Sequence, residues 1–119
     1  MDNIFLNDLR INETDVDGAL NRLSGDVEIY IMILTAFPQD GTMAELERSI
    51  KNEAWDEAFT AAHALKGLAG NLGFTMLFHS LGQLVIYIRT GKIKELEASF
   101  KTVKGYYDDI VRIINNHCK

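Results

Sequence analysis

Apolar residues recur at intervals of three and four along most of this chain, which is the pattern of amphipathic helices that share a core. The C-terminal segment, from about Ile93, has a stripe made of Leu96, Phe100, Val103, Tyr107, Ile110 and Ile114. The segment from Thr75 to Gly91 has a stripe made of Leu77, Leu81, Leu84 and Ile88. No segment alternates apolar and polar residues as a half-buried strand does, so the pattern predicts an all-α protein.

Three shorter helices are predicted in the first half of the chain, over residues 15–23, 27–38 and 42–52. The third begins with Thr42 and Glu45, whose spacing is that of a capping box, in which each side chain bonds a free backbone N–H. Residues 1–13 contain apolar side chains without a clear period. We interpret them as a partly ordered lead-in to the first helix.

Residues 55–73, WDEAFTAAHALKGLAGNLG, are predicted to form one further helix. On a helical wheel with about 100° per residue, one face is apolar and consists of Ala58, Ala61, Leu65, Leu68, Ala69 and Leu72. His63 lies on the opposite, polar face. Gly73 is placed to end the helix in a left-handed conformation, and Thr75 to cap the helix that follows.

The polar face has few large side chains around its histidine. The residues near His63 on the wheel are Asp56, Thr60, Gly67, Gly70 and Asn71, with Phe59 one turn before and Lys66 one turn after. A glycine inside a helix costs about 1 kcal/mol relative to alanine, so two glycines on one side indicate that this side is kept bare. We therefore expect an exposed imidazole beside a lysine, at a surface that another protein must reach.

Short turns separate the three longest helices, so neighbouring helices should run antiparallel. The predicted fold is an antiparallel four-helix bundle with additional short N-terminal helices. With 119 residues, of which 47% are hydrophobic, the chain has enough apolar material for a core of its own. We therefore expect a single domain, residues 1–119.

Composition argues against some classes of partner and some cellular locations. The net charge of −5 argues against nucleic-acid binding, which usually requires a basic stripe. The longest apolar runs are far too short to span a bilayer, and the N-terminus lacks both a basic start and an apolar signal core. The single cysteine, Cys118, can form no internal disulfide, which fits a reducing compartment. We expect a cytoplasmic monomer that binds neither nucleic acid nor membranes.

Residues 62–73, AHALKGLAGNLG, contain His63 followed at fixed distances by Leu65, Lys66, Gly67 and Gly73. This spacing resembles the signature of the histidine-containing phosphotransfer (HPt) domain family. An earlier stretch, GALNRLSGDVEIY, is similar to the first turn and helix of that family.

The similarity covers roughly residues 15–115, which we expect to be the core of the domain. Phe37 matches the usual aromatic residue of the family. One departure is Val85, which follows Leu84 where the family often has a glutamate. That departure concerns a contact with the partner or with a neighbouring helix, and not the chemistry at the histidine.

The resemblance implies that His63 accepts a phosphoryl group from an aspartyl-phosphate on a receiver domain and passes it to another receiver in a two-component phosphorelay. Imidazole suits this task, because its ordinary pKa of about 6.5 leaves one nitrogen free to attack at pH 7. Lys66 would offset the added negative charge. The partner would bind at a surface that contains Phe59, Thr60, Gly67, Gly70 and Asn71.

The same resemblance makes this chain a carrier, and not an enzyme. The expected partners are response-regulator receiver domains, including one in a hybrid histidine kinase, and the receiver would supply the Mg²⁺. The chain has no phosphate-binding glycine loop and no clustered metal ligands, so we expect no cofactor and no metal of its own. Met1 as an initiator and the short length favour a free-standing protein over a piece of a larger kinase.

Two other function classes stay open. The phosphoacceptor domain of a sensor histidine kinase also exposes a histidine on a helix, but it usually has an acid directly after it, where this chain has Ala64. A helical adaptor could bind a receiver domain without accepting a phosphoryl group.

Single residues also have alternative interpretations. Lys66 could be a solvated flanking residue, and Phe59 could belong to the edge of the core. Gly67 and Gly70 could allow close packing against another helix. We interpret the two remaining histidines, His79 and His117, as ordinary surface residues, since neither has metal-ligand spacing to His63.

Overall fold

The computed structural model describes residues 2–117, so Cys118 lies outside the described residues. Seven α-helices and one 3₁₀ turn (Phe37–Gln39) occur within that range. The helices are α1 (Asp2–Ile11), α2 (Val16–Arg22), α3 (Val27–Ala36), α4 (Thr42–Lys51), α5 (Trp55–Leu72), α6 (Thr75–Thr90) and α7 (Ile93–His117). The prediction of an all-α fold with short N-terminal helices is confirmed.

The last four helices form the bundle. Helix α4 packs against α5, α5 against α6, and α6 against α7, and each connection is only a few residues long. The stripe predicted for α6 is buried throughout, whereas in α7 Phe100 and Tyr107 are only half-buried. Each fully buried leucine in these stripes stabilises the fold by roughly 1.5–3 kcal/mol. None of the described helices combines the length and the apolar character needed to cross a membrane.

The N-terminal segment is a helix, and the prediction of a partly ordered lead-in is wrong. Phe5, Leu6 and Leu9 lie on one face of α1, where they are buried, and α1 packs against α7. The interpretation of His117 as an ordinary surface histidine is also wrong. Its Nε2 lies 2.7 Å from Oδ2 of Asp8, and its ring stacks on Phe5 with the ring centroids 5.2 Å apart. These contacts hold α1 on the end of α7.

Two of the predicted helix caps do not form. Asp40 accepts the backbone N–H of Thr42 at 2.9 Å, so α4 begins before Thr42 can act as its cap, and the predicted capping box is wrong. Phe74 takes the cap position of α6 that was predicted for Thr75, because the chain passes from the Gly73 turn directly into the helix. Both errors shift a helix start by one residue and leave the bundle unchanged.

Helices α2 and α3 supply hydrogen-bond donors to the end of α5. The last carbonyls of a helix have no partner within the helix itself. The Arg22 guanidinium donates to the carbonyl oxygens of Gly70 at 2.6 Å and Asn71 at 3.1 Å. The buried hydroxyl of Tyr30 donates to the carbonyl oxygen of Leu72 at 2.8 Å. Helices α2 and α3 are therefore attached to the end of α5 by polar contacts.

Gly73 completes this attachment. Its φ of 82° is left-handed, as predicted for the residue that ends α5. Its carbonyl oxygen accepts the N–H of Asp15 at 2.7 Å, and a Cβ on Gly73 would overlap the main chain of Asp15. Glycine is thus required here for its conformation and for the close approach of the segment before α2.

Removal of the Tyr30 hydroxyl tests this attachment. Burial raises the pKa of Tyr30, so the hydroxyl stays protonated and remains a donor. Tyr30→Phe should leave the carbonyl of Leu72 without that donor and lower the free energy of unfolding by about 1–3 kcal/mol, measured by urea denaturation. The control is Tyr106→Phe, a half-buried tyrosine whose hydroxyl has no hydrogen-bond partner among residues 2–117. Equal losses in the two variants would contradict the role given to Tyr30.

Candidate functional site

Helix α5 carries His63 in its middle and buries the side opposite to it. Five of the six predicted core positions are buried, namely Ala58, Ala61, Leu65, Ala69 and Leu72. Leu68 is only half-buried, and Ala62, which the helical wheel did not assign to the core, is fully buried. The predicted exposure of His63 is confirmed. The imidazole is therefore accessible while its helix is fixed from behind by the bundle.

The aromatic ring of Phe59 stacks on this imidazole. The two ring centroids are 6.1 Å apart and the ring planes differ by only 6°, within the range of favourable aromatic pairs. Phe59 is half-buried and packs against the core. Arg89, on α6, places its guanidinium carbon 5.5 Å from the centroid of the Phe59 ring. Phe59 thus lies at the edge of the core, which is one of the two interpretations that the sequence left open, and its part in a docking surface stays a prediction.

The two glycines near His63 have different surroundings. No atom lies within 4 Å of the place where a Cβ on Gly67 would be, so the prediction of a bare surface is confirmed there. A Cβ on Gly70 would lie 3.0 Å from two ring carbons of Phe78. The prediction that Gly70 is bare is therefore wrong, because its missing side chain lets Phe78 of α6 approach α5.

Lys66 lies against α6 and does not stand free beside His63. It is half-buried, and its Nζ lies 5.2 Å from the ring centroid of Phe78, close enough for a cation–π contact. The end of the same side chain passes within 4 Å of the place where a Cβ on Gly82 would be.

Three pairs of residues fix the register of α5 against α6: Gly70 with Phe78, Lys66 with Gly82, and Phe59 with Arg89. Every step back along α5 corresponds to an equal step forward along α6, so the two helices are antiparallel, as predicted. The same register places Val85 opposite His63. Val85 is half-buried and aliphatic, so α6 presents no hydrogen-bonding side chain at that level.

The sequence did not indicate Arg89 as a residue near the site. It belongs to a stripe with Phe78, Gly82 and Val85, each of which comes one position after a buried residue of α6. This second stripe faces the side of α5 that carries His63. A glycine inside a helix, Gly82, was the one signal in the sequence that α6 is approached closely on this side.

Thr60 and Asn71, two further residues of the predicted docking surface, are exposed. The hydroxyl of Thr60 donates to the carbonyl oxygen of Asp56 at 3.1 Å. Asn71 contacts Arg22 through its main chain. The contact of Thr60 and Asn71 with a partner stays a prediction.

The histidines of the described chain have separate surroundings. His79 is exposed, and its ring meets Phe78 edge-on with the centroids 5.5 Å apart. His117 lies at the contact of α1 with α7. Among residues 2–117, no three His, Cys, Asp or Glu side chains lie together in an arrangement that could hold a metal ion.

Alanine substitutions should separate the two glycines. Gly67→Ala adds helix propensity and meets nothing, so it should raise the free energy of unfolding by up to about 1 kcal/mol. Gly70→Ala should be less stable than Gly67→Ala, because its methyl group presses on Phe78. Gly105→Ala is a control for the first change, since Gly105 is also an exposed helical glycine with open space around it. Thermal or urea unfolding measures all three, and a reversed order of the Gly67 and Gly70 variants would contradict the packing described.

Comparison with known proteins gives a match to a protein family. A family model described as Hpt domain matches residues 34–112, which span the end of α3, all of α4 to α6 and most of α7. The matched range includes His63 and every residue near it described above. Neither the curated proteins nor the solved structures that were compared give a significant match.

Proposed function

Because the chain belongs to the Hpt domain family, whose members act in histidine phosphotransfer in two-component relays, we propose that His63 is its phosphoryl carrier. The observation that carries the proposal is an exposed histidine in the middle of α5 with open space beside it at Gly67. A receiver domain that brings an aspartyl-phosphate to the imidazole needs such an approach, because the reacting atoms must come within about 3–3.5 Å.

The proposed step is a displacement at phosphorus. A ring nitrogen of His63 that carries no proton attacks the phosphorus atom of the aspartyl-phosphate, and an N–P bond forms. The P–O bond to the aspartate breaks, and its electron pair leaves with the carboxylate. The reverse step, toward the aspartate of a second receiver, releases the imidazole again. The receiver and its Mg²⁺ supply most of the stabilisation of the transferring group, so this chain needs neither a cofactor nor a metal ion.

We give Lys66 the role of stabilising the phosphorylated histidine. Residues three apart on a helix are neighbours, with about 5–6 Å between their Cβ atoms. The flexible side chain can therefore carry its ammonium from the ring of Phe78 to a phosphoryl group on His63. A cation–π contact is worth roughly 0.5–1 kcal/mol at an exposed site, and a charge-assisted hydrogen bond to phosphate is stronger. The added phosphoryl group would thus draw Lys66 away from Phe78.

The proposed partners are receiver domains of response regulators, including that of a hybrid histidine kinase. The proposed contacts are the half-buried Phe59 and the exposed residues Thr60, Gly67 and Asn71, whereas Gly70 acts through packing inside this chain. In this proposal the chain carries the group and does not catalyse its transfer alone. A monomeric state and a cytoplasmic location stay predictions from the sequence.

The site of phosphorylation can be tested with histidine variants. After incubation with ³²P-labelled receiver domains, the wild type should carry label and His63→Gln should carry none, because the variant lacks the nucleophilic nitrogen. His79→Gln, which changes another exposed histidine, should be labelled like the wild type. Label on His63→Gln would overturn the assignment, and a wild type that binds phosphorylated receivers without being labelled would favour the adaptor alternative.

The place of docking can be tested at Gly67. A leucine there has room within the fold but stands where the receiver must approach, so transfer to Gly67→Leu should fall at least tenfold, on the order of the effect of a misplaced reacting group. Circular dichroism and the melting temperature should stay close to those of the wild type. Gly105→Leu, which makes the same change at an exposed glycine in the middle of α7, should transfer normally. Full transfer to Gly67→Leu would show that the receiver docks elsewhere.

A further inference from the structure

The side chain of His63 is oriented by stacking rather than by hydrogen bonding. In the described part of the chain no hydrogen bond involves its ring, and Val85, the residue opposite on α6, has no polar group that could make one. The face of the Phe59 ring lies parallel to the imidazole. An exposed side chain without any partner would populate several rotamers, so Phe59 is the group available to select one of them.

Arg89 in turn limits the freedom of Phe59. Its guanidinium lies over the Phe59 ring at a distance typical of a cation–π contact. Because Phe59 is only half-buried, the core does not enclose the ring on all sides, and the guanidinium covers part of the remainder. The three side chains thus form a stack, Arg89–Phe59–His63, that joins α6 to the imidazole on α5.

We propose that Arg89 and Phe59 are positioning residues for His63, with Arg89 acting through the Phe59 ring. The inference rests on the proposed function, since transfer requires the attacking nitrogen to lie in line with the bond that breaks. An imidazole held in one rotamer presents this nitrogen in a fixed direction. Loss of the stack leaves the nucleophile chemically intact but oriented correctly for a smaller fraction of the time.

The orientation can be measured on this chain alone. In NMR spectra of the protein labelled with ¹³C and ¹⁵N, the three-bond couplings about χ1 of His63 should correspond to one dominant rotamer. In Arg89→Gln and Phe59→Leu these couplings should move toward averaged values, and Phe59→Tyr, which keeps an aromatic ring, should restore the wild-type values. Arg112→Gln removes an exposed arginine from α7 and should change nothing at His63. Wild-type couplings in both Arg89→Gln and Phe59→Leu would overturn the proposal.

Kinetics distinguish positioning from docking. With a phosphorylated receiver as donor, the maximal rate of transfer to Arg89→Gln should fall by about tenfold, while the receiver concentration that gives half of the maximal rate stays unchanged. Phosphoramidate, a small donor that can approach from any side, should label the variant at close to the wild-type rate. An unchanged maximal rate with a raised half-saturating concentration would make Arg89 a docking contact and contradict the proposal.

Loss of stability and failure of the proposed function can each be distinguished from loss of the stack. Phe59 packs against the core, so Phe59→Leu could lose stability, whereas Arg89 is exposed and Arg89→Gln should keep the melting temperature of the wild type. If the wild type accepts phosphate from neither donor, the proposed function is wrong, and the couplings still decide whether the stack orients His63.

Discussion

The accessibility of His63 depends on how firmly the rest of α5 is held. The helix buries a face of small and apolar residues against α4 and α6, so its opposite side needs no cover for stability. Arg22 and Tyr30 donate to carbonyl oxygens in the last turn of α5, and the main chain of Asp15 donates to the carbonyl oxygen of Gly73, which follows the helix. The contacts from α2, α3 and the residue before α2 thus stabilise the end of α5 and leave the histidine in its middle uncovered.

The same arrangement explains why α6 matters to the site. The buried stripe of α6 packs inside the bundle. Its second stripe, made of Phe78, Gly82, Val85 and Arg89, lies along the side of α5 that carries the histidine. Through this stripe Phe78 contacts Lys66, and Arg89 contacts Phe59. This stripe of α6 thus contacts Lys66, which follows His63 on α5, and Phe59, which precedes it. The histidine itself stays exposed, which suits a group that must be reached by a partner.

Prediction from the sequence succeeded where the relevant contacts repeat along one helix. The buried stripes, the exposure of His63 and the open space at Gly67 all follow from a period of 3.6 residues. Prediction failed for side chains whose partner belongs to another helix. The contact of His117 with Asp8 joins residues 109 positions apart, and the packing of Gly70 depends on a ring of the next helix. A periodicity gives the side of a helix but not its register against a neighbour.

Onward transfer is the most direct test of the proposal that this chain passes on a phosphoryl group. The chain is labelled with ³²P from a phosphorylated receiver, separated from that donor, and mixed with an unphosphorylated receiver and Mg²⁺. Label should leave His63 and appear on the receiver at the rate at which it disappears from the chain. Label that remains on the chain, or is lost as inorganic phosphate without passing through a receiver, would contradict it.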